Sequence, residues 1–146
     1  MTLKIRKWEK NKDAISIDRG PLSYALQIGE DWKRYGGSDA WPEFQVLPTS
    51  GWNVGLIVDE QKPADSLKLV QSSAKLADQP FTPETAPIKI IARGKLLPEW
   101  KTDKNHLIEP LPQSPATGDG PVREFTLIPM GAARLRISSF PTIGNP

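Results

Sequence analysis

What most constrains this chain is how rarely it runs without interruption. Fifteen prolines and eleven glycines are spread along 146 residues. Proline removes an amide donor and clashes with the preceding helical turn, so long helices have little room. Between the interruptions, apolar residues recur at every second position. In "PLSYALQI", Leu22, Tyr24, Leu26 and Ile28 share one face, while Ser23, Ala25 and Gln27 take the other. "AISID" turns Ile15 and Ile17 inward, "WNVGLIVD" does so with Trp52, Val54, Leu56 and Val58, and "PIKIIAR" with Ile88 and Ile90. "REFTLIP" supplies Phe125 and Leu127, and "AARLRIS" sets Ala133, Leu135 and Ile137 against Arg134, Arg136 and Ser138. Successive side chains of a strand point to opposite faces, so this alternation marks strands with one buried and one wet face. With "TLKIRKW", "SLKLV" and "GKLLPEW" there are about eight or nine candidate strands. The prediction is an all-β fold, an antiparallel β-sandwich or jelly roll with long proline-rich loops.

Three segments resist that pattern. "IGEDWKRYGGSDA" (28–40) is polar and ends in Gly-Gly, which reads as a loop or a short helical turn. "LADQPFTPETAP" has prolines at 80, 83 and 87 and predicts an extended, polyproline-like crossing anchored by Phe81. "HLIEPLPQSPATGDGP" is the longest connection, and a loop of that length is usually functional or mobile. In "DRGPLSY", Gly20 and Pro21 interrupt a continuous β pattern, predicting a bulge or bend on an edge strand. Arg19 would project where the chain bends. The closing "PTIGNP" reads as an ordinary frayed terminus. The first strand opens at residue 2 or 3 without a cap, so an open sheet edge is expected, as in a piece of a longer chain.

The length suits a single domain spanning 1–146 with a real core, and 38% apolar and 25% charged residues are those of a globular chain. A net charge of +2 argues against a nucleic-acid partner. The one basic cluster, "MTLKIRKWEKNK", fits a solvated strand face. Without cysteine there is no disulfide, thiolate zinc site or cysteine nucleophile, and one histidine makes neither a multi-histidine metal site nor a triad with a spare. No cofactor and no metal are expected. No apolar run reaches membrane-spanning length, so no membrane partner is expected, and the signal of an exported parent would lie outside this segment.

Catalysis by paired carboxylates needs two acids held across a cleft. Glu30, Asp31, Glu43, Glu84, Glu99 and Glu109 are available, but acids in loops are the default for solubility, and no catalytic residue is assigned. Trp52 opens an alternating strand on the side of Val54 and Leu56, which favours core packing over a ligand platform. Trp41 precedes Pro42 in a loop and is open to either role. Trp100 fits a core or a domain interface, Trp8 and Trp32 lie among charges and are candidates for an inter-domain contact, and His106 sits in a surface loop.

Five quoted segments carry a resemblance: "IDRGPLSYALQI", "LPTSGWNVGLIVD", "PFTPETAPIKIIARGKLLPEWK", "LPQSP" and "EFTLIPMGAARLRISSFP". In this order they resemble the C-terminal β-rich part of glycoside hydrolase family 127, the β-L-arabinofuranosidase-like family. "RGPL" and the "TLIP…LRIS" ending are the most specific pieces, and the likeness spans nearly the whole chain. It implies a modular enzyme in which β-sandwich domains follow an (α/α)6 catalytic barrel bearing glutamates and a cysteine-rich zinc site. None of those residues maps onto this chain. The resemblance therefore implies a non-catalytic accessory domain whose partner is the catalytic barrel of the same polypeptide. Arg19, Trp41, Trp100 and the loop around His106 are the candidate inter-domain contacts. The alternative is a carbohydrate-binding module for arabinose-rich glycans.

Overall fold

The structure, a computed structural model, describes residues 1–144; Asn145 and Pro146 of the expected frayed tail lie outside the described residues. Among the described residues there are nine strands. They are β1 (Leu3–Trp8), β2 (Ala14–Arg19), β3 (Leu22–Leu26), β4 (Glu30–Gly37), β5 (Pro42–Pro48), β6 (Val54–Ile57), β7 (Leu67–Gln71), β8 (Ile88–Leu96) and β9 (Arg123–Pro129). Helix is confined to single turns, Pro63–Ser66 and the 3-10 turns Glu9–Asn11 and Met130–Ala132. All paired strands are antiparallel. The chain is all-β, as the alternation predicts.

One sheet runs β1-β2-β3-β9-β8-β6, with β7 alongside the first half of β8, and β4–β5 form a separate ribbon. The sheet curls until its two ends face each other, and the segment after β9 laces them together. Ile137 accepts from the Leu26 amide at 2.8 Å, and Phe140 exchanges two 2.8 Å backbone bonds with Ile15 of β2. Pro141 then accepts from Leu56 of β6 at 2.9 Å, and the Ile143 amide donates to Leu56 at 2.8 Å. The expected frayed end is thus an interior lace. Buried Pro141 and Ile143 alternate with part-buried Thr142 and exposed Gly144 there, and that burial overrides the loop-like composition.

Inside the curl, Ile15, Ile17, Tyr24, Leu26, Leu56 and Phe140 are fully buried with their neighbours from β6, β8 and β9. The other face of β3 and β9 is not wet, because Ala25 and Ile128 are covered by Ala86, Ala132 and Ala133 in a small second core. β6 and β8 approach closely: a Cβ added at Gly94 would run into the carbonyl oxygen of Gly55. A side chain there would push the two strands apart.

Several expectations need correction. "DRGPLSY" is no bulge on an edge strand: Arg19 pairs with Leu22, so Gly20 and Pro21 form a two-residue hairpin turn, and β1 covers β2. Gly20 has φ +59°, the left-handed value that such a turn needs at its first central position. Residues 28–40 hold β4, not a loop or helical turn, and "PEFQVLP" is its partner β5. "AARLRIS" keeps its alternation of burial but forms no ladder; a single backbone bond, from the Leu26 amide to the Ile137 carbonyl, joins it to β3, and Arg136 Nε donates to the Ala133 carbonyl. "LADQPFTPETAP" is a turn stapled by the Thr82 and Thr85 hydroxyls at 2.9 Å, and Phe81 is exposed, anchoring nothing.

Tyr24 is fully buried, and its hydroxyl has no hydrogen-bond partner among the described residues. Burial raises its pKa above the ordinary 10.0, and nearby Arg19 offsets this only in part. The folded state therefore holds the proton more tightly than the unfolded chain, so stability is intact below pH 10 and is lost as pH rises through the folded value. Tyr24→Phe is expected to leave stability at neutral pH unchanged or up by about 1 kcal/mol, and to flatten the alkaline loss. A clear drop in the neutral melting temperature would contradict an unpartnered hydroxyl.

Candidate functional site

The β4–β5 ribbon stands apart from the curled sheet, and an isolated pair of strands is at best marginally stable in water. Its own chemistry holds it. The register runs from Glu30 opposite Pro48 to Gly37 opposite Pro42, with an irregularity between Arg34 and Gly36. Alternation places Trp32 and Phe44 on one face, edge to face at 5.7 Å and 67°. At the tip, Ser38 and Trp41 exchange backbone bonds of 3.1 and 3.2 Å. Arg34 fastens that tip by donating to Asp39 at 2.9 Å and to the Gly36 and Gly37 carbonyls. At the base, the Gly29 amide donates to the Ser50 hydroxyl and the Thr49 amide to the Gly29 carbonyl. The ribbon presents Trp32, Tyr35, Trp41 and Phe44 to solvent, and Trp41 is 82% exposed. Aromatic surface on that scale usually marks an interaction site.

Between the ribbon's base and the body lies a cleft of about 410 Å³. One wall is Gln45 to Pro48 of β5, and the other is built from Trp52, the 102–108 loop and residues 135–137. Trp52 rests against buried Trp100, ring centroids 5.2 Å apart at 73°. Trp100 is pinned in turn: its indole donates to the Glu109 carbonyl at 2.9 Å, and the Asn53 amide group donates to the Leu97 and Trp100 carbonyls. The loop that follows is a small hairpin. Thr102 bridges Ile108, and the Asp103 carboxylate accepts from the Asn105 and Leu107 amides at 2.8 and 2.9 Å. This turn holds His106 at φ +61°, a left-handed conformation in which histidine is found more often than bulkier residues.

Of the four residues singled out from sequence, two meet at this cleft. His106 lines it, and Trp100 braces it from behind. Trp41 sits at the far tip of the ribbon. Arg19 lies at the β2–β3 turn, beside Tyr24, and makes no side-chain ion pair or hydrogen bond among the described residues. Sequence reasoning missed Gln45, Leu47, Ile108 and Arg136. Arg136 did alternate outward from the core, but nothing local announces that its outward side faces a ribbon some ninety residues earlier. No carboxylate lines the cleft among the described residues.

No family model, no curated protein and no solved structure matches this chain.

Proposed function

We propose that this chain is a non-catalytic accessory β-sandwich domain of a larger, β-L-arabinofuranosidase-like glycoside hydrolase, packing against and supporting its (α/α)6 catalytic barrel. The observation that carries this reading is the β4–β5 ribbon, which holds four exposed aromatics on a scaffold that buries none of them well. Paired with the sequence resemblance, this exposed aromatic surface supports a docking role. The rival, a module that anchors an enzyme on arabinose-rich polysaccharide, asks for coplanar exposed rings. Trp32 and Phe44 meet at 67°, so that pair offers no flat platform.

The reading frame around this segment should encode a helical barrel with a cysteine-rich zinc site upstream. In that parent, the combined change Trp32→Ala, Trp41→Ala and Phe44→Ala should lower the barrel's melting temperature and activity. A few residues carry most of an interface's energy, tryptophan prominent among them, and truncating one such residue costs about 2 kcal/mol or more. Unchanged melting and kinetics in the triple variant, or a frame without such a barrel, would sink the proposal.

A further inference from the structure

We propose that the cleft between the β5 wall and the Trp52 wall is a binding site for a saccharide carrying a carboxylate, such as a hexuronate. This goes beyond the packing role, uses a different surface from the ribbon's exposed aromatics, and does not depend on the identity of the parent.

Three observations carry it. The first is Arg136. Its Nε donates to the Ala133 carbonyl at 2.9 Å, which orients the fork, while its terminal nitrogens have no ion pair or hydrogen bond among the described residues. A guanidinium held this way presents two parallel donors, the geometry that fits a carboxylate. The second is charge. Among the described residues no aspartate or glutamate lines the cleft, and the carboxylate beside its β5 wall, Asp31 opposite Leu47, is paired with Lys33 at 3.4 Å, so Arg136 is the charged side chain an entering anion meets in the lining. The third is the mixture around that cation. Trp52, Leu47, Ile108 and Leu135 offer apolar surface suited to a sugar ring's C–H face, and Gln45, His106 and Thr102 offer side-chain groups for hydroxyls. The volume of about 410 Å³ is that of a small-molecule site.

Other anions fit less well. A phosphate is usually gripped by several cations or a row of backbone amides, and this cleft has a single arginine and no helix terminus. An extended acidic peptide would pair along a free strand edge, whereas β5 is already paired with β4.

The test titrates the chain with galacturonate, glucuronate and their dimers, with neutral galactose and with acetate, read by calorimetry and by amide chemical shifts. At least one uronate should bind with Kd below about 10 mM and shift amides around Trp52, His106 and Arg136, with galactose and acetate at least about tenfold weaker. Arg136→Gln should weaken the uronate about tenfold or more while leaving the fold intact, and Arg136→Lys should fall between. Failure of every uronate to bind, equal affinity for galactose, shifts elsewhere on the surface, or full binding by a folded Arg136→Gln variant would each overturn the proposal. Tighter binding of an acidic peptide than of any uronate would overturn it too, in favour of a protein ligand.

Discussion

Replacing Phe140 by alanine should cost this chain about 3–5 kcal/mol, more than its place near the C-terminus suggests. Phe140 is fully buried, and its backbone is bonded in both directions to Ile15 of β2. Within a few residues the same segment is bonded to Leu56 of β6 and to Ala116 of the long loop. β2 and β6 lie near opposite ends of the sheet order, so this segment closes the curl over the core. The alanine variant keeps the backbone bonds but leaves a ring-sized void where the lace crosses Ile15, and a packed interior relaxes into such a void only partly. In a domain of this size the melting temperature should fall by roughly 10–20 °C. Phe140→Leu refills most of the space and should lose no more than about 1.5 kcal/mol. Urea unfolding of both variants decides the matter. A Phe140→Ala chain that unfolds within 1 kcal/mol of the parent, by the scale for ordinary surface changes, would show that the lace does not close the core.

The elements legible in sequence were those whose partners impose only a face. Ile15 and Ile17, Leu26, Leu56, Ile90 and Leu127 were assigned inward by alternation alone, and each is buried. Alternation records burial, not hydrogen bonding, which is why "AARLRIS" gave the right inward residues and the wrong element. The ribbon failed for the opposite reason. β4 and β5 bury little on either face, and the short alternation of Phe44 and Val46 with Glu43 and Gln45 is interrupted by prolines and matched by no clear period in β4, so the cross-strand register defines them. The tail failed because its burial depends on strands more than eighty residues away in sequence, a long-range term that composition does not encode.

Three of the short motifs that carry the family resemblance are joints, whereas "TLIP" lies within β9. "RGPL" is the β2–β3 turn. "PTSG" closes the base of the ribbon, where Thr49 and Ser50 bond Gly29. "LPQSP" clamps three parts of the chain. Gln113 donates to Asp13 at 2.8 Å, the Ser114 amide donates to Lys12 at 2.9 Å, and the Ser114 hydroxyl accepts from the Thr142 amide at 3.0 Å. Such positions are set by backbone geometry and tolerate few residue types, so they stand out in a sequence without being chemical sites. The candidate site is legible only in part because its residues come from five separate segments, and none forms a motif by itself.

Trp100 and Trp41, both singled out from sequence, should separate sharply on mutation. Trp100→Ala removes a buried indole that touches Trp52 and donates to the Glu109 carbonyl. Deleting a buried tryptophan costs about 3–5 kcal/mol, and here it also frees both the loop that holds His106 and the wall that holds Trp52. The chain should lose much of its stability, and Trp52 fluorescence should shift toward that of a solvated indole. Trp100→Phe keeps an aromatic against Trp52 but loses the indole donor, leaving the Glu109 carbonyl open to water, so it should cost about 1–2 kcal/mol. Trp41→Ala removes a ring that is 82% exposed and should change the chain's own stability by less than about 0.5 kcal/mol. If the proposed docking to a catalytic barrel holds, any loss from Trp41→Ala should appear only when that barrel is present. A Trp100→Ala chain that melts like the wild type would remove Trp100 from the core and leave the cleft wall without its support.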